Sequence, residues 1–124
     1  MLVWNRAELA EGLACYNTAR FFEAHEYWES VWLTLQEPEK SFLQSLIQIT
    51  AAFHHLNRGN RVGAASLLRR AQKRLSHCPA IFGGIEVEPL RNEIDEWLQR
   101  LKSGQTEEIT TCPRIRPIGT RLDF

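Results

Sequence analysis

Apolar residues recur at helical spacing along most of the chain, and this pattern predicts five α-helices. The expected helices span residues 6–18, 21–36, 39–58, 61–75 and 89–103. The third is apolar nearly all round, which is typical of the buried centre of a bundle. Residues 105–124 contain Pro113 and Pro117 and show no helical period. The sequence therefore predicts an all-α fold: a compact multihelical bundle of about five helices over residues 1–104, followed by an extended C-terminal tail.

Proline, glycine and asparagine mark the ends of these helices. Pro38 ends the second helix, because the residue before a proline avoids the helical conformation, and it suits the first turn of the third. Gly59 is a good C-terminal cap, and Asn60 is a good N-cap for the fourth helix. Since the turn at Pro38 is short, we expect the second and third helices to be antiparallel neighbours.

Composition narrows the class of protein. A length of 124 residues with 44% hydrophobic content suits one domain with a real core. The formal net charge is zero, so the total charge gives no sign of a strongly cationic nucleic-acid binder. No apolar run approaches the roughly 18 residues of a membrane span, and no signal peptide is visible. Three cysteines without a C-x-x-C pair are expected to be reduced thiols of a cytoplasmic protein, namely Cys15, Cys78 and Cys112.

Polar residues lie on the aromatic side of the second predicted helix. On a helical wheel, His25, Glu29 and Trp32 fall within one narrow arc. That arc is flanked by Phe21, Phe22 and Trp28. We therefore expect this face to be buried. Because a lone buried carboxylate is costly, Glu29 should be paired or protonated there.

The third predicted helix offers partners for this face. Its otherwise apolar surface carries one polar stripe, formed by Gln44, Gln48 and His55. Counting outward from the turn places His25 and Glu29 opposite this stripe. His55 is then expected near Phe21, Phe22 or Arg20. His54 is expected to point to a different side of the third helix. The two helices would share a polar cluster.

Three interpretations of this cluster compete. We favour a structural network of polar side chains that fixes the pairing of the two helices. The second is a ligand or catalytic pocket lined by His25, Glu29, Gln48 and the tryptophans. The third is a metal site, since His25-Glu26-x-x-Glu29 looks like the zincin motif H-E-x-x-H with glutamate in the last place. The second histidine of that motif is missing, so no cofactor is expected, and a divalent metal at His25 and Glu29 is the minor alternative.

The fourth predicted helix carries a basic block opposite its leucine stripe, formed by Arg69, Arg70, Lys73 and Arg74. We favour a solvated face, because cations in the last turns of a helix also interact favourably with its dipole. The alternative is a patch for an anion or a nucleic acid. Nucleic acid is not the expected partner, since the block lacks interleaved aromatic residues and any recognised binding motif.

Two segments of the chain form recognisable motifs: Tyr16-Asn17-x-x-x-Phe21-Phe22-Glu23-Ala24-His25-Glu26-x-x-Glu29-x-x-Trp32 and Phe42-Leu43-Gln44-x-Leu46-Ile47-Gln48-x-x-Ala51-Ala52-x-x-His55-x-x-x-Gly59-Asn60-x-x-Gly63-Ala64. Together they resemble the signature of the family catalogued as domain of unknown function 309. The resemblance covers residues 10–75 and, more weakly, residues 84–87 and the fifth helix. One departure is Ala19-Arg20, where the family often has glycine. The resemblance implies a compact multihelical bundle from bacteria, archaea or plastid lineages, and it implies no established activity.

The positions that this resemblance marks are also the candidate site residues: His25, Glu26, Glu29, Trp32, Gln44, Gln48 and His55. We expect a small cytoplasmic helical domain that binds a small ligand or a protein partner in the groove between the second and third helices. One alternative is a hydrolase-like or metal-dependent enzyme, with Glu29 or Glu26 as base and His25 as ligand or acid. A nucleic-acid accessory protein is another. A homodimer would use the exposed side of Tyr27 or Trp28.

Overall fold

The computed structural model of the chain describes residues 2–104 and 112–119, which contain five α-helices and one short hairpin. The helices are α1 (Ala7–Asn17), α2 (Phe21–Trp32), α3 (Glu39–Asn57), α4 (Arg61–Leu75) and α5 (Val87–Ser103). The hairpin pairs β1 (Ile81–Phe82) with β2 (Ile85–Glu86) in antiparallel register. The predicted helical bundle is confirmed. Of the predicted tail, residues 105–111 and 120–124 lie outside the described residues, and residues 112–119 are called the C-terminal segment below.

The third helix is the centre of the bundle, as its all-round apolar pattern predicts. It packs between α2 and α4. Its large side chains are fully or almost fully buried, including Phe42, Leu43, Leu46, Ile49 and Phe53. Two buried hydroxyls, those of Ser45 and Thr50, donate to carbonyl oxygens one turn earlier in the same helix, at 2.5 Å and 2.8 Å. These two hydroxyls are therefore satisfied within the helix and need no partner across an interface.

The first two helices meet through one large ring. Trp28 of α2 is fully buried, and its indole N–H donates to the carbonyl oxygen of Leu9 at 3.2 Å. The edge of the ring system meets Trp4, with the ring centroids 5.8 Å apart. Gly12 of α1 faces this indole so closely that a Cβ atom at residue 12 would overlap it. A glycine is therefore required at residue 12 for α1 and α2 to approach at this distance.

Two helix boundaries differ from those predicted. The second helix ends at Trp32 and does not reach Gln36. Its last turn tightens, because the backbone N–H and the hydroxyl of Thr34 both donate to the carbonyl oxygen of Val31. The fifth helix begins at Val87, before Pro89, since the carbonyl oxygen of Ala80 accepts the N–H groups of Val87 and of the next residue. None of the helices in residues 2–104 is long and apolar enough to cross a membrane.

The C-terminal segment lies against the bundle. The hydroxyl of Tyr16 in α1 donates to the carbonyl oxygen of Pro113 at 2.5 Å. The N–H of Glu86 in β2 donates to the carbonyl oxygen of Arg116 at 2.9 Å. Burial raises the pKa of Tyr16 well above its ordinary value, so its hydroxyl stays protonated and remains a donor. These bonds connect the end of the described chain to α1 and to the hairpin.

Gly12→Ala should destabilise the protein by about 2 kcal/mol, because the added methyl group overlaps the indole of Trp28. The gain in helix propensity, about 1 kcal/mol, offsets only part of this cost. Urea unfolding measures the change in the free energy of unfolding. Trp28→Phe should cost less in the Gly12→Ala background than in the wild type, because a smaller ring relieves the overlap. Equal costs in the two backgrounds would show that residues 12 and 28 are not coupled.

Tyr16→Phe should lower the free energy of unfolding by about 1 kcal/mol, because it leaves the buried carbonyl of Pro113 without its donor. Tyr27→Phe is the matched control, since it removes the same hydroxyl from an exposed tyrosine. Hydrogen exchange of the C-terminal segment should accelerate in the first variant only. Unchanged exchange there would mean that the Tyr16 hydroxyl does not hold the segment.

Candidate functional site

The histidine and carboxylate of α2 form a pair at the margin of its buried face. His25 Nε2 lies 3.5 Å from Glu29 Oε2, with 30% of the histidine side chain and 49% of the glutamate side chain exposed. The prediction that Glu29 is buried is therefore wrong. The residues that α2 buries are Phe21, Ala24 and Trp28. The arc that contains Trp28 is the true inner face, and His25 and Glu29 lie beside it.

Solvent changes what this pair can do. An exposed ion pair contributes little to stability, and this one is charged on both sides only when the histidine is protonated. Within residues 2–104 and 112–119, no group of three or more histidine, cysteine, aspartate or glutamate residues could hold a metal ion. The described part of the chain thus gives His25 and Glu29 no third ligand of these types. Glu26, the middle residue of the zincin-like motif, is exposed.

Trp32 is half-buried, and a cation covers it. The ammonium group of Lys40, in the first turn of α3, lies 4.5 Å from the centroid of the Trp32 ring. The indole nitrogen of Trp32 is buried and has no hydrogen-bond partner among the described residues. Across from Trp32, α3 therefore presents a lysine.

The histidine of α3 that approaches α2 is His54. Its ring lies 5.8 Å from the ring of Phe22. His55 instead lies 3.3 Å from the side-chain nitrogen of Asn60, at the start of α4. The prediction that His54 points to a different side is wrong, since the ring near Phe22 is that of His54. A short turn shows that two helices are neighbours but does not show which face of α3 meets α2.

Gln48 lies in a depression between α3 and α4 with a volume of about 340 Å³. The other residues that line it come from α4 and the turn after it: Arg70, Lys73, Arg74 and His77. The amide oxygen of Gln48 is buried and has no hydrogen-bond partner among the described residues. The predicted cluster is thus divided, with His25 and Glu29 on α2, Trp32 under Lys40, and Gln48 beside α4. Gln44 is half-buried.

The predicted basic block is also divided. Arg69 lines a different depression, between α4 and α5, whose volume is about 770 Å³ and which also includes Asp95. The remaining three cations of the block share the smaller depression with His77. Sequence analysis missed His77, although the spacing from Arg70 through Lys73 continues to residue 77 on the same helical face.

The outer face of α2 carries a shallow depression of about 440 Å³. We call it the α2 outer face; it is lined by Glu8, Phe22, Glu23, Glu26, Tyr27 and Ser30. Phe22, which the sequence assigns to the buried side, is 54% exposed, and Tyr27 is 38% exposed. Trp28 is fully buried, so a homodimer surface can include Tyr27 but not Trp28. The spacing of Phe22, Glu26 and Ser30, four residues apart, signals a solvent-facing row.

Glu29→Gln should change the free energy of unfolding by less than about 0.5 kcal/mol, because the pair that it removes is exposed. Glu23→Gln, on the outer side of the same helix, is the control and should behave alike. Urea unfolding of both variants and the wild type makes the comparison. A loss of more than about 2 kcal/mol for Glu29→Gln alone would instead indicate a buried, structural carboxylate.

Comparison with known proteins supports the resemblance seen in the motifs. The sequence model described as Domain of unknown function (DUF309) matches residues 9–67, which run from α1 into α4. An uncharacterised protein of Aquifex aeolicus (strain VF5) is 31% identical to this chain over 102 residues. That match covers 82% of this chain and 31% of the other protein, so the chain spans about a third of its relative's length. The resemblance of this chain to the family of domain of unknown function 309 is therefore confirmed over residues 9–67.

Proposed function

We propose that this chain is a helical interaction domain that binds a segment of a protein partner through the α2 outer face. The segment would carry cationic and apolar side chains. One observation carries the proposal: two exposed aromatic rings on one helix face stand among three carboxylates, those of Glu8, Glu23 and Glu26.

The aromatic rings supply the apolar part of this surface. Phe22 is more than half exposed, and its ring packs beside the His54 ring, with the two centroids 5.8 Å apart. Tyr27 is exposed on the same side of α2. Aromatic residues are enriched at protein interfaces, because a rigid ring buries a large area at a low cost in conformational entropy. A single exposed ring is ordinary, whereas two that line one depression form a patch.

The carboxylates determine what kind of side chain would bind there. None of the residues that line the α2 outer face is cationic, so Glu8, Glu23 and Glu26 are not neutralised within it. A lysine or arginine of a partner could pair with a carboxylate and also lie over a ring. This combination favours a basic partner segment and disfavours an acidic one.

The shape of the depression favours a protein partner over a small ligand. All six lining residues are exposed, so the floor of the depression is itself open to solvent. A small-molecule site usually encloses most of its ligand. A shallow face of this kind suits a partner that brings its own surface.

We also place the protein in the cytoplasm, because its three cysteines are free thiols, namely Cys15, Cys78 and Cys112.

The test is a nuclear magnetic resonance titration with a synthetic amphipathic helical peptide. One face of the peptide carries lysines and the opposite face carries leucines. Its control peptide has glutamate in place of every lysine. The lysine peptide should shift the amide signals of Phe22, Glu26 and Tyr27 in a saturable way, with the shift decreasing as salt rises. The glutamate peptide should not bind. Equal binding of both peptides, or shifts confined to other helices, would contradict the proposal.

Two variants separate the apolar and the charged contributions. Phe22→Ala should weaken binding about tenfold, as expected for an aromatic anchor. Ile81→Ala is its matched control, because Ile81 is 55% exposed but lies on β1. Glu23→Gln combined with Glu26→Gln should weaken binding and reduce its salt dependence. Self-association in sedimentation velocity that Phe22→Ala abolishes would assign the face to a second copy of this chain and overturn the proposed partner.

A further inference from the structure

We infer that the depression between α3 and α4 is a binding site for a compact, multiply charged oxyanion, of the phosphate-monoester or pyrophosphate class. We call it the basic pocket; it is lined by Gln48, Arg70, Lys73, Arg74 and His77. It lies on a different pair of helices from the α2 outer face, so the inference stands independently of the proposed function.

The cations of the basic pocket lie on one stripe of α4 and the turn after it. Arg70 lies three positions before Lys73 and four before Arg74, and His77 follows these two at four and three positions, which places the side chains on one side of α4 and the turn after it. Like charges at this spacing destabilise a helix. An anion bound among these side chains would offset the repulsion between them. The stripe therefore favours a negatively charged ligand.

None of the described residues that line the basic pocket carries a carboxylate. Within residues 2–104 and 112–119, no ion pair neutralises Arg70, Lys73 or Arg74. The pKa of Glu37 is lowered mainly by hydrogen bonds from Ser41, and the charge of Arg74 is the smallest contributor. Both oxygens of Glu37 accept hydrogen bonds from Ser41, at 2.9 Å and 2.8 Å, so this carboxylate is bound to the first turn of α3. The positive charge of the pocket therefore remains available to a ligand.

Gln48 supplies a polar group inside the pocket that the fold itself does not use. Its amide oxygen is buried and unpaired among the described residues, which is an unfavourable state for a polar atom. The amide nitrogen of the same side chain is a hydrogen-bond donor, and it is the group from which an anion in the pocket would accept. Guanidinium, ammonium and amide groups all donate hydrogen bonds that phosphate oxygens accept. Side chains of all three kinds line this one depression.

The helix dipole explains only part of this arrangement. Lys73 and Arg74 lie in the last turn of α4, where cations offset the negative end of the dipole. Arg70 lies one turn earlier, and Gln48 belongs to another helix. Their presence beside the two terminal cations is what indicates a ligand.

The size and lining of the pocket favour a compact anion over a nucleic acid. Its volume of about 340 Å³ accommodates one or two phosphate groups but not an extended strand. Among the described residues that line it, the small imidazole of His77 is the one aromatic ring, so it lacks the row of rings on which successive bases stack. Arg69, which would extend the positive surface along α4, lines the depression beside α5 instead.

Isothermal titration calorimetry with inorganic phosphate and with pyrophosphate, at constant ionic strength set by chloride, tests the inference. At least one of the two should bind the full chain with a stoichiometry of one. In a parallel nuclear magnetic resonance titration, the side-chain amide of Gln48 and the backbone signals of residues 70–77 should shift together. Absence of saturable binding by both anions would overturn the inference.

Matched variants distinguish a pocket from general attraction. Arg70→Gln and Arg74→Gln should each weaken anion binding about tenfold. Arg69→Gln makes the same charge change on the same helix but outside the pocket, so its affinity should stay within about twofold of the wild type. Gln48→Leu keeps the net charge and should weaken binding several-fold. Because Arg70 is exposed, Arg70→Gln should fold even if Gln48→Leu does not.

Three results would overturn the inference. The first is an equal loss of affinity for Arg69→Gln and Arg70→Gln, which would indicate unspecific attraction. The second is unchanged binding by a folded Gln48→Leu. The third is steeply salt-dependent binding of a single-stranded oligonucleotide without binding of either small anion, which would assign the surface to nucleic acid.

Discussion

The packing of Trp28 against Gly12 determines how α2 is rotated in the bundle. The ring occupies the space that the missing Cβ atom leaves on α1, and its N–H is bound to the carbonyl oxygen of Leu9. Once Trp28 points inward, helical geometry places His25 at the margin of the interface and Phe22 on the outside. The exposure of the candidate residues on α2 therefore follows from one close contact between two helices.

Much of the fold could be predicted because its signals are local. The bounds of α4 follow from Asn60, whose side chain accepts the N–H of Gly63, and from a single leucine stripe. The site could not be predicted as well, since it depends on rotation. The aromatic residues of α2 lie on several sides of the helix. Periodicity alone therefore does not show whether Phe22 or Trp28 is buried. For Gln48, the sequence showed a polar stripe on α3, but only the packing of α4 showed where the stripe points.

A net charge of zero conceals two separate charged surfaces. The α2 outer face presents carboxylates beside aromatic rings, and the basic pocket presents arginines and lysine beside an amide. The buried α3 helix separates the elements that carry these surfaces, since it packs between α2 and α4. The total charge of zero gives no sign of a strongly cationic nucleic-acid binder, and the two surfaces of opposite charge agree with that total. It could not show that charges of opposite sign are sorted onto different helices, because sorting depends on the fold.

The two surfaces differ in how they relate to the family. The match to domain of unknown function 309 covers residues 9–67 and includes every residue of the α2 outer face except Glu8. Of the basic pocket it includes only Gln48, because the cations begin at Arg70. A function of the α2 outer face therefore rests on positions that the family description covers, whereas anion binding rests on positions beyond it. Anion binding must therefore be tested separately for each related chain. The pattern that would identify it in another chain is the spacing of the basic residues 70–77 together with a glutamine on α3.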